Sequence, residues 1–191
     1  MKFYSIIILF IISACQSKDN TILKSLISTE NVFIKSDYKY SKDSLILDIP
    51  IEYRIINNAS KEIDKSTIYM IHNGKILKDL DDFIVFDKNQ YHLDKILNLK
   101  TVIKPEGHLD IIIRTNYIYI HKKEANKIFA KYKIDENLIK IKNSVKIISF
   151  DKFRKENPEL MIQLTNYHDS IVVANYYKGI ILFTNQKNII W

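Results

Sequence analysis

Glycine and proline are scarce in this chain, three of each in 191 residues, and Cys15 is the only cysteine. Phosphate cradles need glycines where backbone must approach the ligand, so three scattered glycines argue against a nucleotide enzyme. A lone cysteine cannot form a disulfide within the chain, and an odd cysteine in an exported protein calls for its own explanation. No Gly-x-Ser-x-Gly elbow is present to position a serine nucleophile. The five histidines, 72, 92, 108, 121 and 168, form no His-x-x-x-His or His-Glu-x-x-His pair. A zinc site would therefore have to be assembled entirely by the fold, whereas zinc motifs show close ligand pairs. Exposed or strand-end histidines are the expectation, with no metal and no cofactor. Basic residues interleaved with aromatics are also missing, so no nucleic-acid partner is expected.

Hydrophobic residues make up 47% of the chain, which excludes wholesale disorder. Isoleucine is about one residue in five, and β-branched and aromatic enrichment favours strands. The net charge is +7, or +6 without Lys2 (28 basic against 22 acidic). Such a balance suits anionic headgroups, acidic polysaccharide or an acidic protein, although lysines spread over a solvated surface account for it as well.

Lys2 precedes Phe3, Tyr4 and Ser5 and then an unbroken apolar run over residues 6–12. A positive tip, a short apolar run and small residues before a processing point form the layout of a secretory signal peptide. The run is too short to span a bilayer, which takes roughly 20 apolar residues. Ile12-Ser13-Ala14-Cys15 resembles the lipobox of bacterial lipoproteins. The resemblance covers about the first 15 residues. It implies cleavage before Cys15, a diacylglyceryl group on the thiol and acylation of the new N-terminus. One acyl chain holds a protein weakly, at about 0.8 kcal/mol per buried methylene, and several hold it stably. The rival reading is an ordinary signal peptide cut after Ala14. Residues 1–14 are thus a leader, and 15–30 a lipidated cysteine and tether whose end begins to pack. Residues 31–191 form one β-rich domain with a possible seam near 122. Asp19 is the only acid close behind Cys15, which leaves inner membrane, outer membrane and cell surface open.

Leu45, Leu47, Ile49, Ile51, Tyr53 and Ile55 alternate with polar residues, the period-two pattern of a half-buried strand. Pro50 cannot donate to a ladder and predicts an edge or bulge there. Residues 57–60 read as a turn. Asn73-Gly74 is a preferred type I′ pair and predicts a hairpin between 67–72 and 75–78. Further strands are predicted over 83–86, 99–103 and 109–120. The look of residues 31–121 is similar to immunoglobulin-like envelope domains, without their Cys…Trp…Cys signature. Ala125, Ile128, Phe129 and Tyr132 make the apolar stripe of a short helix. Ile139, Ile141, Val145 and Ile147 return to period two, opposite Lys140, Lys142 and Lys146. Asn157-Pro158-Glu159 marks the start of a second helix, and Lys178-Gly179 the turn of a terminal hairpin. The fold class expected is α+β, mainly β: an antiparallel immunoglobulin-like sandwich with two short helices in its last third.

Asp79, Asp81 and Asp82 offer oxygens for calcium, but the EF-hand spacing fails because Gln90 stands where its Glu belongs. His168-Asp169-Ser170 has the residue types of a hydrolase triad, yet contiguous side chains do not converge, and a turn leading into a strand reads better. Tyr117 and Tyr119 on one strand face, Tyr38 with Tyr40, and the stripe Lys140, Lys142, Lys146 are the candidate binding residues. Tyrosine rings ordinarily bury at sheet edges and lysines ordinarily line a solvated face. The sequence therefore points to a lipid-anchored envelope protein that binds a protein or glycan partner without catalysis. An envelope hydrolase with a fold-assembled His/Asp site and a structural spacer are the alternatives.

Overall fold

The computed structural model describes residues 20–36, 43–77, 82–88, 98–99 and 101–191. The leader, the lipobox with Cys15, Tyr38, Tyr40, Asp79, Asp81 and His92 lie outside the described residues. Among the described residues antiparallel strands dominate and the short helices all lie after residue 121, so the fold is α+β, mainly β and sandwich-like.

Three sheets share one core. The first has the order β1 (Thr21–Leu26), β4 (Pro50–Asn57), β9 (His108–Thr115), β7 (Phe83–Asp87). The second runs β10 (Tyr119–His121), β3 (Ser44–Asp48), β2 (Asn31–Ser36), β11 (Ser144–Ser149). The third runs β13 (Ile180–Asn188), β12 (Ser170–Tyr177), β5 (Lys65–His72), β6 (Lys75–Leu77), with β8 (Asn98–Leu99) also paired to β5. An immunoglobulin domain would divide its strands between two sheets.

The strand expected over 45–55 changes sheet at Ile49, with β3 before it and β4 after it. Pro50 supplies no N–H and lies beyond the end of β1, whose pairing stops at Leu26–Glu52, so one side of it needs no ladder bond. The strand expected over 109–120 breaks at the same level, between β9 and β10. Thr115 clasps the two breaks: its hydroxyl accepts the Ile49 N–H at 3.0 Å and its own N–H reaches the Ile49 carbonyl at 3.2 Å. Residues 99–103 contribute only the end of β8 and a single bridge from Ile103 to Ile63.

Both hairpin turns form as the sequence requires. Asn73 and Gly74 take φ of 50° and 73°, and Lys178 and Gly179 take 49° and 79°, the left-handed pairs of type I′ turns. The turn at Asn57 is closed by its own side chain, which accepts the Ala59 N–H and donates to the Lys61 and Ile103 carbonyls.

Four helices, rather than two, are present among the described residues: α1 (Lys122–Lys131), α2 (Leu138–Lys142), α3 (Phe150–Glu156) and α4 (Pro158–Thr165). The stripe read for α1 holds, since Ala125, Ile128 and Phe129 are buried. His121 caps it, its Nδ1 accepting the Lys123 N–H at 3.2 Å. The phase expected over 139–147 does not hold. Residues 138–142 form α2, which ends because Asn143 turns left-handed at φ 57°, and only then does β11 begin. Ile141 is consequently 76% exposed while Ile139 and Val145 are buried. Asn157 precedes α4 without capping it; its amide reaches back to the Phe153 carbonyl and to Tyr132 Oη.

Two segments lie differently from expectation. Residues 21–26, assigned to the tether, are strand β1, with Thr21 and Leu23 buried because alternate side chains face the core. The seam near residue 122 divides no contacts: β11 pairs with β2 and β12 with β5 across it. One buried cluster joins Ile34, Leu47, Tyr53, Met70 and Phe83 to Phe129, Phe153 and Val173. Stability rests on this core, each fully buried Ile or Leu contributing about 1.5–3 kcal/mol.

Candidate functional site

β5 ends at His72, and the register of β5 on β12 sets Ser170 against Ile71, which brings Asp169 alongside His72. Their side chains meet: His72 Nδ1 lies 2.8 Å from Asp169 Oδ1. With the Asp169 oxygen as acceptor, the His72 tautomer that donates from Nδ1 fits this contact. Tyr117, in the break between β9 and β10, donates its hydroxyl to Asp169 Oδ2 at 2.8 Å. Burial, and next the charge of Asp169, push the Tyr117 hydroxyl far above the ordinary tyrosine range, so it remains a donor. The His72 ring packs between Tyr117 and Tyr167, at centroid distances of 4.8 and 4.9 Å.

This is a buried acid with both oxygens occupied and a histidine whose side chain keeps a quarter of its surface in solvent. Chemically it is an imidazole oriented by a carboxylate. Ser170 follows Asp169 but starts β12 and faces the other side of the sheet, where its Oγ accepts the Gln186 amide at 3.1 Å. His168 is exposed, at φ 52°. The three consecutive residues 168–170 therefore do not converge, and the partner of Asp169 is His72, 97 residues away.

The other sequence candidates do not assemble. Tyr117 is buried while Tyr119, on β10, is 47% exposed, so the two share no face. Lys140 and Lys142 lie on α2 and Lys146 on β11; all three are exposed, but the helix and the left-handed Asn143 break the strand stripe expected of them. His72, His108 and His121 stand at strand ends. Among the described residues no group of three His, Cys, Asp or Glu side chains is placed to hold a metal ion, and no helix is long and apolar enough to cross a membrane.

A shallow groove of about 320 Å³ opens between α1 and the corner joining α3 to α4. Its rim is charged, with Glu124, Lys127, Lys131, Glu156 and Glu159. Lys127 pairs with Glu124 at 3.2 Å, and Lys131 bonds Asn157 Oδ1 at 3.2 Å and the Glu156 carbonyl. Lys127 and Glu124 thus form a solvated pair, Lys131 is held by neutral acceptors, and Glu156 pairs with Lys152 at 3.8 Å.

Sequence reasoning missed the most exposed cluster of apolar side chains. Ile180 and Ile181 are 69% and 56% exposed at the β12–β13 turn. Tyr176 and Tyr177 pair with them across the hairpin, and Lys61, Lys65 and Lys178 hold their ammoniums over these two rings. Ile180 and Ile181 read as ordinary strand residues because nothing local says that no other element covers them. Compared with known proteins, the chain matches no family model and no curated sequence.

Proposed function

We propose that this chain is a lipid-anchored lipoprotein of the bacterial envelope whose β-rich domain works by binding a partner rather than by catalysis. The exposed apolar side chains carry the binding half of this reading. Ile141, Ile162, Ile180 and Ile190 are 76, 63, 69 and 62% exposed in a domain whose core is otherwise closed. Scattered single residues are normal on a surface, whereas the clustered ones at residues 180–181 mark a contact. The lipobox Ile12-Ser13-Ala14-Cys15 supports the anchor. The partner is an envelope protein or glycan, and the membrane is reached through the N-terminal lipid.

In the producing cells, Cys15→Ser should abolish acyl labelling and release the protein from membranes. Unchanged labelling and retention would refute the anchor. For the binding half, a photo-crosslinking residue at position 180 should give one discrete adduct, lost when the residue beside it is charged by Ile181→Lys. Absence of adducts together with turnover of peptidoglycan or glycosides would refute it.

The 2.8 Å contact between His72 and Asp169 favours a second reading, a hydrolase in which Asp169 orients His72 as general base. It requires that purified mature protein cleave such substrates and that His72→Gln abolish the cleavage while the fold survives.

A further inference from the structure

The start of the described chain and the tip of the last hairpin lie side by side. Thr21 pairs with Asn57 at the end of β4, and Asn58 donates its N–H to the Asn20 carbonyl at 3.0 Å. Beyond Asn57 the chain turns into Lys61, whose ammonium sits over the Tyr177 ring. Thr21 itself accepts the Asn175 amide at 3.1 Å and the Asn185 amide at 2.5 Å, so it touches both strands of the terminal hairpin. From Asn175 the hairpin continues outward by about 10 Å to Lys178, three strand residues further on. β1 runs away from this end, so Asn20, the first described residue, stands on the tip side of Thr21.

Six peptide steps separate Cys15 from Thr21, and an extended chain of that length spans at most about 20 Å. An acyl group on Cys15 would therefore hold this end of the domain against the bilayer, within reach of the tip. The tip has the composition of an interfacial element. Its turn is Lys178-Gly179, the exposed Ile180 and Ile181 follow directly, Tyr177 and Tyr176 pair opposite them, and lysines with long apolar stems lie over the two rings. Tyrosines settle at headgroup level, and lysines extend their ammoniums toward phosphates while burying their stems. Among the acids close by in sequence, Asp64 accepts the Lys178 backbone N–H at 2.6 Å and so ties the turn to the start of β5.

We infer that the tip at Tyr176, Tyr177, Ile180 and Ile181 is a second membrane contact, which inserts into the lipid interface and fixes the orientation of the domain relative to the bilayer. The inference rests on the proposed lipid anchor. It differs from the expectation of a freely tumbling domain on a tether, because Thr21 is already part of the sheet.

Acylation of Cys15 makes a newly introduced cysteine the only free thiol in the mature chain, which supplies the test. Full-length lipidated protein bearing Ile180→Cys, and separately Ile181→Cys, is labelled with a polarity-sensitive fluorophore. It is then reconstituted into vesicles of phosphatidylethanolamine and phosphatidylglycerol. Ile76→Cys, on the hairpin at the opposite end of β5 and 55% exposed, serves as the reference. The expected result is a blue-shifted emission, quenched by nitroxide-bearing lipid, at both tip positions and at neither extent for residue 76. One label per chain, protein floating with the vesicles and water-like emission at the tip would overturn the tip contact while leaving the anchor standing. Two labels per chain and protein left in solution would overturn the anchor and the tip contact together. A blue shift that appears without vesicles would place a second protein copy on the tip and overturn it equally.

Discussion

The hydroxyl of Thr21 accepts a hydrogen bond from the side-chain amide of Asn175 at 3.1 Å, across 154 residues of chain. This bond, with the second one from Asn185, fastens the edge strand β1 to the terminal hairpin and places the chain's exit toward Cys15 next to residues 176–181. Thr21→Val keeps the shape but leaves the buried Asn175 amide and the half-buried Asn185 amide without their acceptor. A buried polar group left unmade costs about 1–3 kcal/mol, so urea denaturation should show a loss of that size. Amide exchange should accelerate over residues 21–26 while that of β4 and β9 stays slow.

Asp169 should behave as the clasp of three segments, the end of β5, the break before β10 and the turn before β12. Removing either donor, by His72→Ala or Tyr117→Phe, leaves a buried carboxylate oxygen unpaired at a cost of about 1–3 kcal/mol. Chemical denaturation checks this. Two variants with wild-type stability would contradict the structural role of the cluster and return attention to its chemistry.

Acid should weaken the first sheet through Asp110. Arg54 donates Nε to its Oδ1 at 2.6 Å and Nη2 to its Oδ2 at 2.7 Å, and these hydrogen bonds hold the Asp110 carboxyl below the ordinary carboxylate range. A carboxylate whose folded pKa is depressed contributes stability above its unfolded value, near 4, and loses it as pH falls through the lower folded value. Arg54 is 36% exposed at its side chain, so solvent screening keeps the contribution small. Unfolding free energies between neutral and acid pH should therefore fall less steeply in Asp110→Asn than in the natural chain.

Lys178 occupies a left-handed position at φ 49° where asparagine is the favoured residue. Lys178→Asn should raise thermal stability, by about 0.5–1 kcal/mol at the midpoint, because asparagine tolerates that conformation better. The same change removes an ammonium from over the Tyr177 ring and should weaken contact of the tip with anionic vesicles. A residue kept where local stability favours another is what a functional tip would show.

Much of the fold was legible in local chemistry. Asn73-Gly74, Lys178-Gly179, the alternation through residues 45–55 and the stripe of α1 each reported their own backbone, since turn geometry and burial period act within a few residues. Ile139 and Ile141 misled because two isoleucines at i and i+2 fit a strand, whereas the left-handed Asn143 resets the phase after a single helical turn. Pro50 signalled a break but could not say that the strand changes sheets there, which depends on Thr115. The site was the least legible part. Asp169 was visible beside His168 and Ser170, but its partner is chosen by the β5–β12 register, and no local pattern carries that pairing. Thr21 was read as tether because six residues with three apolar side chains, two of them adjacent, do not announce an edge strand.

The proposal turns on Cys15, and the mature N-terminus tests it most directly. Mass spectrometry of the protein extracted from the producing cells should find a terminal peptide that begins at Cys15 and carries a diacylglyceryl group on sulfur. An unmodified terminal Cys15, or a chain that retains residues 1–14, would contradict the account.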